Sequence, residues 1–278
     1  MAMTFPSREI WGVRLHDVTP GELCAWIDTA LGGDRVRCIV TPNPEFLLAA
    51  RRSSEYRDVL NRADLALPDG VGVTFAALAL GEELRHRHAG VDVLELLAEH
   101  AAMAKASLVL LGGSHPFLER ARQYFATQYP GISCTAINPG IVDTTNQHLV
   151  SQNVLHQLTV ADAKIIAVAL GQGRGSSHGK QERYINELAA AFPTARILIG
   201  VGGAIDYFGS AVSRAPKLWR TYGFEWLWRL GAEPWRAKRV VRAVVVFPLR
   251  IAWDTLVSGQ FIPACRRVAR GLLAHFRG

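Results

Sequence analysis

Along most of the chain, short apolar runs closed by Gly, Pro or Asn alternate with longer stretches in which apolar residues recur every three or four positions. The first kind of segment reads as buried strand and the second as amphipathic helix. A strand is predicted at 9–15. Thr19 then caps a helix at 20–31 with Pro20 in its first turn, and Gly32-Gly33-Asp34 stops it. A short buried strand at 37–40 runs into Thr41-Pro42-Asn43-Pro44-Glu45, where two prolines forbid its continuation. Helices follow at 45–52 and 55–61, then a strand at 63–67 closed by Pro68-Asp69-Gly70, then an apolar helix at 71–80.

Beyond residue 90 the pattern is regular. It predicts a helix at 91–104, a strand at 107–111 with a Gly112-Gly113 turn, a helix at 116–129 and a strand at 132–137. A helix around 147–157, a strand at 164–170, a helix at 180–192 and a strand at 195–200 complete it. Such alternation specifies an α/β fold, Rossmann-like, with a largely parallel sheet and helices on both faces. No internal repeat or long linker interrupts it, and this body is expected to end near Ser213.

Charge changes sign there. Residues 214–278 carry 13 Lys or Arg against 3 Asp or Glu, a balance of +10, whereas the whole chain is +7, so the first 213 residues sum to −3. Five of the seven tryptophans also lie in this tail. The chain therefore reads as an α/β body (1–213) with a helical, basic, Trp-rich appendage (214–278). Basic side chains beside tryptophans suit an anionic membrane surface, where Lys and Arg meet headgroups and Trp sits at the interface. An amphipathic helix pair packed on the body, with snorkelling arginines, accounts for the same residues, and the two readings are compatible.

The strongest charge-free apolar run of the tail, 243–249, is far shorter than the roughly 20 residues a spanning helix needs. Residues 1–10 hold no apolar signal-peptide core. The four cysteines stand far apart without a C-x-x-C spacing, so neither a zinc ribbon nor a disulfide scaffold is implied, and they read as small buried hydrophobes in a reducing compartment. A cytoplasmic protein held peripherally on the membrane is the expectation.

In an open α/β sheet, ligands sit beyond the carboxyl ends of the strands. Four motifs fall there: Thr41-Pro42-Asn43, Pro68-Asp69-Gly70, the 171–181 loop, and Gly200-Val201-Gly202-Gly203 with Asp206. Each is also an ordinary turn composition, so the coincidence at one edge carries the argument. Asp69, held between Pro and Gly, is the candidate general base. The 171–182 loop could cradle phosphate at a helix N-terminus, or be a plain surface loop; it matches neither the Walker A spacing nor G-x-G-x-x-G. The failed fingerprint argues against a nicotinamide or flavin oxidoreductase. His86 and His88 read as solvated, and no Asp-x-Asp or ligand-spaced cluster indicates a metal.

Taken together, these motifs resemble the WecG/TagA/CpsF glycosyltransferases (glycosyltransferase family 26). The resemblance rests on 41–45, 68–70, Arg87-His88-Ala89-Gly90-Val91-Asp92, 110–113, Gly179-Lys180-Gln181-Glu182, 200–206, Arg214-Ala215-Pro216, 223–229, Glu233-Pro234 and Arg236. It runs in order over roughly residues 10–242. One departure is the long 171–181 loop, with Gly179 where the family has proline. The resemblance implies an inverting, metal-independent enzyme without cofactor. It would move N-acetylmannosamine, its uronic acid or glucose from a UDP-sugar donor to a polyprenyl-diphosphate-linked sugar acceptor, for a cell-surface polysaccharide. It also implies that Thr41, Asn43 and Gln181 line the active site, that Asp69 is the base, that Asp206 lies near the nucleotide, and that Arg229, Arg236 and Arg239 close over the donor diphosphate. A homo-oligomer is left open. The competing reading is a nucleic-acid-binding α/β protein using its basic tail, which would show steep salt dependence on random DNA. The Thr-Pro-Asn and Pro-Asp-Gly edge has no use in that reading.

Overall fold

A computed structural model describes residues 3–143, 148–170, 179–209 and 213–277. The chain opens with a hairpin, β1 (Ser7–Ile10) and β2 (Val13–His16), in place of the single strand predicted at 9–15. Trp11 and Gly12 take positive φ (53° and 77°), which turns the chain between them. Helix α1 (Pro20–Leu31) starts in a capping box: Thr19 Oγ1 accepts from the Glu22 N–H, while Glu22 accepts from the Thr19 N–H. β3 (Arg37–Val40), α2 (Pro44–Arg52), α3 (Ser54–Asn61), β4 (Leu65–Ala66), α4 (Val71–Leu80) and α5 (Gly90–Met103) follow. Then come β5 (Ser107–Gly112), α6 (Phe117–Gln128), β6 (Ser133–Ile137), α7 (Gln152–Val160), β7 (Ile165–Ala169), α8 (Lys180–Ala191), β8 (Ile197–Gly200) and α9 (Ala204–Phe208). Helix α7 begins later than the expected 147–157, because Ser151 provides its cap by accepting from Val154 N–H.

The six strands of the main sheet are all parallel, in the order β4-β3-β8-β7-β5-β6. β5 and β7 are buried along their whole length, which is why they read as continuous apolar runs rather than alternating ones. One core lies under α2, α3, α4 and α8, the other under α1, α5, α6 and α9. β3 and β8 are hydrogen-bonded neighbours, yet the chain leaves β3 into α2 on one face and β8 into α9 on the other. That divergence opens a crevice at their carboxyl ends.

The tail forms α10 (Lys217–Thr221), α11 (Glu225–Ala232), a 3-10 turn (Pro234–Arg236), α12 (Ala237–Val241), a π-helical stretch (Arg242–Val246), α13 (Phe247–Val257) and α14 (Phe261–Arg277). Its distal part packs on the body. Phe247, Ile251 and Ala264 are buried in the same cluster as Val73, Ala76 and Ala77 of α4, and Trp11 meets Phe247 edge-on at 5.4 Å. Asp254 accepts from Trp11 Nε1 at 2.7 Å and pairs with Arg51. Arg267 donates to the Leu78 and Ala79 carbonyls, satisfying the C-terminal end of α4. The opposite side of these helices leaves Leu249, Trp253, Leu256, Val257, Phe261 and Ile262 exposed, so packing on the body uses only one side of the pair. Among the described residues no helix is long and apolar enough to cross a membrane. Cys38 is buried as expected, but Cys265 on α14 is exposed because it lies on that outward side.

Candidate active site

Three backbone hydrogen bonds weld the strand-end loops into one platform. Leu67 N–H donates to the Val40 carbonyl, Asp69 N–H to Pro42, and His88 N–H to Pro68, at 2.9, 3.0 and 2.9 Å. His86 and His88 serve this platform rather than solvent: His88 Nε2 donates to the Val18 carbonyl at 2.7 Å, and His86 Nδ1 lies 2.9 Å from Asp17 Oδ1. Asn43 caps α2, its Oδ1 accepting from Glu45 and Phe46 N–H. Gly90 opens α5 against Thr41; a Cβ there would stand 3.2 Å from Thr41 Oγ1.

Above the platform lies a cavity of about 210 Å³. Thr41, Asn43, Asp69 and Gln181 line it from the body, and Glu225, Arg229, Arg236 and Arg239 line it from the tail. The tail is seated there by specific contacts. Arg87 donates to the Arg220 and Thr221 carbonyls, and Arg214 pairs with Asp92 of α5. Gly223 (φ 78°) rests on Val71, the residue two past Asp69, so closely that a Cβ would fall 2.5 Å from a Val71 methyl.

Asp69 is half-buried, and its carboxyl is pushed up to about 7. Loss of water is the main cause; the Glu225 and Asp92 carboxylates add to it, and the Arg87 guanidinium opposes it. A carboxylate that accepts a proton near neutral pH is what a general base requires.

Gln181 is nearly fully buried, its amide pinned at both ends. Oε1 accepts from Gly202 N–H at 3.0 Å and Nε2 donates to Glu182 Oε1 at 2.9 Å. Gly200 provides the room, since a Cβ there would lie 2.4 Å from Nε2. Gly179, in the left-handed region (φ 76°), starts α8 against the Tyr56 ring, which a Cβ would approach to 2.4 Å. Glycine is thus required at 179 by its own backbone conformation and by the Tyr56 ring. Residues 171–178, and with them the proposed phosphate cradle, lie outside the described residues.

Arginines and carboxylates build the tail-side wall of the same cavity. Glu233 Oε2 accepts from Arg229 Nε at 2.5 Å and from Arg236 Nη1 at 2.8 Å. Arg229 also reaches Asp206 Oδ2 at 3.3 Å and lies over the Tyr207 ring at 4.5 Å. Arg239 pairs with Glu45 at 2.7 Å. Burial and the neighbouring Arg229 charge hold Arg236 below the usual guanidinium range. Each guanidinium group is thus held by a carboxylate, with Glu233 shared between two, so an anion entering the cavity would meet three oriented arginines in exchange for these partners.

All the predicted site residues but one line the cavity; Asp206 stands behind Arg229 and orients it. At Glu233-Pro234 the helical path breaks into the 3-10 turn that swings Arg236 and Arg239 to the same cavity as Arg229. Glu182, Glu225 and Glu233 had no role in the sequence reading. Glu225 and Glu233 flank Arg229 at four-residue spacing on either side, a signal that could have found them.

Comparison with known proteins gives a consistent result. The sequence model of the glycosyl transferase WecG/TagA/CpsF family matches residues 8–260. An N-acetylglucosaminyldiphosphoundecaprenol N-acetyl-beta-D-mannosaminyltransferase of Bacillus subtilis (strain 168) is 32% identical over 216 residues, 78% of each chain. A protein of the same name from Bacillus spizizenii is 28% identical over 81% of this chain and 84% of its own. One from Staphylococcus aureus (strain NCTC 8325) is 28% identical over 88% of this chain and 91% of its own.

Proposed function

The chain belongs to the glycosyl transferase WecG/TagA/CpsF family and is a glycosyltransferase; we propose that it transfers an N-acetylmannosamine-type sugar from a UDP donor to a polyprenyl-diphosphate-linked N-acetylglucosamine. The names of the relatives support the acceptor and the sugar. The single observation that carries the proposal is the joint cavity, where Asp69, titrating at about 7, faces Arg229, Arg236 and Arg239.

In this mechanism the Asp69 carboxylate takes the proton of the attacking acceptor hydroxyl. The hydroxyl oxygen bonds to the anomeric carbon from the face opposite the UDP, and the bond from that carbon to the diphosphate breaks with inversion. The leaving diphosphate gathers negative charge, which Arg229 and Arg236 neutralise in place of a metal ion, with Arg239 at the rim. Residues 214–278 act as the element that completes the site, since these three guanidinium groups come from it. The exposed apolar row of α13 and α14, with exposed Arg250, Arg266 and Arg270 beside it, would rest on the anionic inner face of the cell membrane. The nucleic-acid reading loses support, because Arg214 and Arg267 are committed within the fold and Arg229, Arg236 and Arg239 line the cavity instead of an open basic surface.

The test is a panel of UDP-sugars against a short-chain polyprenyl-diphosphate N-acetylglucosamine, with product mass as readout. Transfer of N-acetylmannosamine or a close relative supports the proposal. Hydrolysis or no transfer with every donor removes it.

A further inference from the structure

A primary amide in an active site can be turned over, exchanging a donor for an acceptor at nearly no steric cost. Gln181 faces that choice at the cavity, and its neighbours decide it. The Gly202 N–H can only donate, so it requires Oε1. On the other side the partner is the Glu182 carboxyl, which takes the Nε2 group at 2.9 Å. Gly200, without a side chain, lets the amide lie flat between them.

Glu182 is only 2% exposed and is not among the cavity-lining residues, and its hydrogen bond to Gln181 links it to the site. A buried carboxyl is costly unless its oxygens are engaged. Here Gln181 holds Oε1, and Tyr56 Oη lies 3.3 Å from Oε2. Tyr56 is itself fixed by Gly179, which lets the start of α8 close onto the ring. The contacts form an unbroken row from α3 to the cavity wall. No role for Glu182 follows from the base or the arginine wall.

We propose that Glu182 is a positioning residue that locks the Gln181 amide in one orientation and so leaves its second Nε2 hydrogen as the donor offered to the substrate. The inference rests on the reading of this cavity as the transferase active site. What it requires of Glu182 is an acceptor oxygen at one place; burial pushes its carboxyl up to about 7, and the lock works in either protonation state because Oε1 accepts in both.

The experiment compares Glu182→Gln, Glu182→Met, Gln181→Ala and the double variant Gln181→Ala/Glu182→Met, measuring kcat, KM for the UDP-sugar and Tm in each. Glu182→Gln keeps an acceptor and should retain kcat within about 3-fold, whereas Glu182→Met should lose about 10- to 100-fold in kcat with KM little changed. Because Glu182 acts through Gln181, the double variant should be no worse than Gln181→Ala alone. Multiplying losses in the double variant would overturn the proposal. So would a Glu182→Gln variant as impaired as Glu182→Met, since the charge would then matter in its own right. A second readout needs no substrate: hydrogen exchange of the Gln181 side-chain amide by NMR. Its protection should survive in Glu182→Gln, and protection lost there would overturn the lock even if Glu182→Met fails to fold. Wild-type protein inactive on every substrate pair, with amide protection intact, would instead overturn the functional reading and leave the lock standing.

Discussion

Replacing Asp69 by Asn should stabilise the protein, by an amount that grows with pH. Below its ordinary value of 3.8 the carboxyl is protonated in both folded and unfolded chains, so ionisation contributes nothing. Between that value and about 7 the folded chain keeps the proton while the unfolded chain releases it. Stability is therefore lost as pH rises through this window and stays lost above it. The gap sets a ceiling of about 4 kcal/mol above neutral pH. Partial solvent access and local relaxation reduce this, and about 1–2 kcal/mol is expected. Asn matches the protonated carboxyl in shape and never ionises, so it escapes the penalty. For a chain of this size each kcal/mol moves the thermal midpoint by about 2–4 °C. Glu182, pushed up to about 7 in the same way, contributes equally to both proteins and cancels from the difference. The assay is thermal unfolding of both proteins at about pH 5 and about pH 8. A variant less stable than wild type at the higher pH, or a difference that does not change with pH, would refute the desolvated carboxyl.

Three further outcomes are expected. Activity should persist in excess EDTA, since guanidinium groups take the charge of the leaving diphosphate; loss of activity that Mn²⁺ or Mg²⁺ restores would contradict this. Gly200→Ala should lower kcat by about 10-fold or more with a small change in Tm, because a Cβ 2.4 Å from Gln181 Nε2 must displace the amide; an unchanged kcat would show that the amide position is not critical. Polar substitution of Trp253, Leu256, Val257 and Ile262 together should reduce sedimentation with anionic liposomes while turnover of a detergent-soluble acceptor continues; undiminished sedimentation would place membrane contact elsewhere. Truncation after Arg242 is not a substitute for that test. It would remove Phe247 and Ile251 from the shared core, at a cost of about 2–5 kcal/mol each.

The sheet was legible because its strands are short, buried on both faces and closed by Gly or Pro, as at 107–112 and 165–169. Strand ends were legible for the same reason, and they carry Thr41, Asp69 and Gly200. The hairpin was missed because Trp11, the first residue of its turn, gives no turn signal, and the single Gly12 beside it reads as a glycine within a strand. Seating of the tail was also hidden. Amphipathic periodicity shows that α13 and α14 have an apolar side, but which residues meet α4 depends on the path through the 3-10 turn and the π-helical stretch. The site carboxylates were the hardest to read. A glutamate within an apolar or basic segment looks the same whether it is solvated, like Glu83, or shared between two guanidinium groups, like Glu233. Only the fold reveals that Glu225 comes to lie in the same cavity as Asp69, across more than half the chain.

The account's central claim is that Asp69 takes the acceptor proton in the cavity shared by body and tail. The most direct measurement is the turnover of Asp69→Asn against wild type, with the UDP-sugar and polyprenyl-diphosphate acceptor that wild type uses, across the pH range around neutrality. Wild-type kcat/KM should fall on the acid side with a midpoint near 7, where the carboxyl takes up its proton. The variant should turn over about 10²- to 10⁴-fold more slowly while still binding UDP. A variant that retains near-wild-type turnover, with the same acid limb, would remove Asp69 from the chemistry and contradict the account.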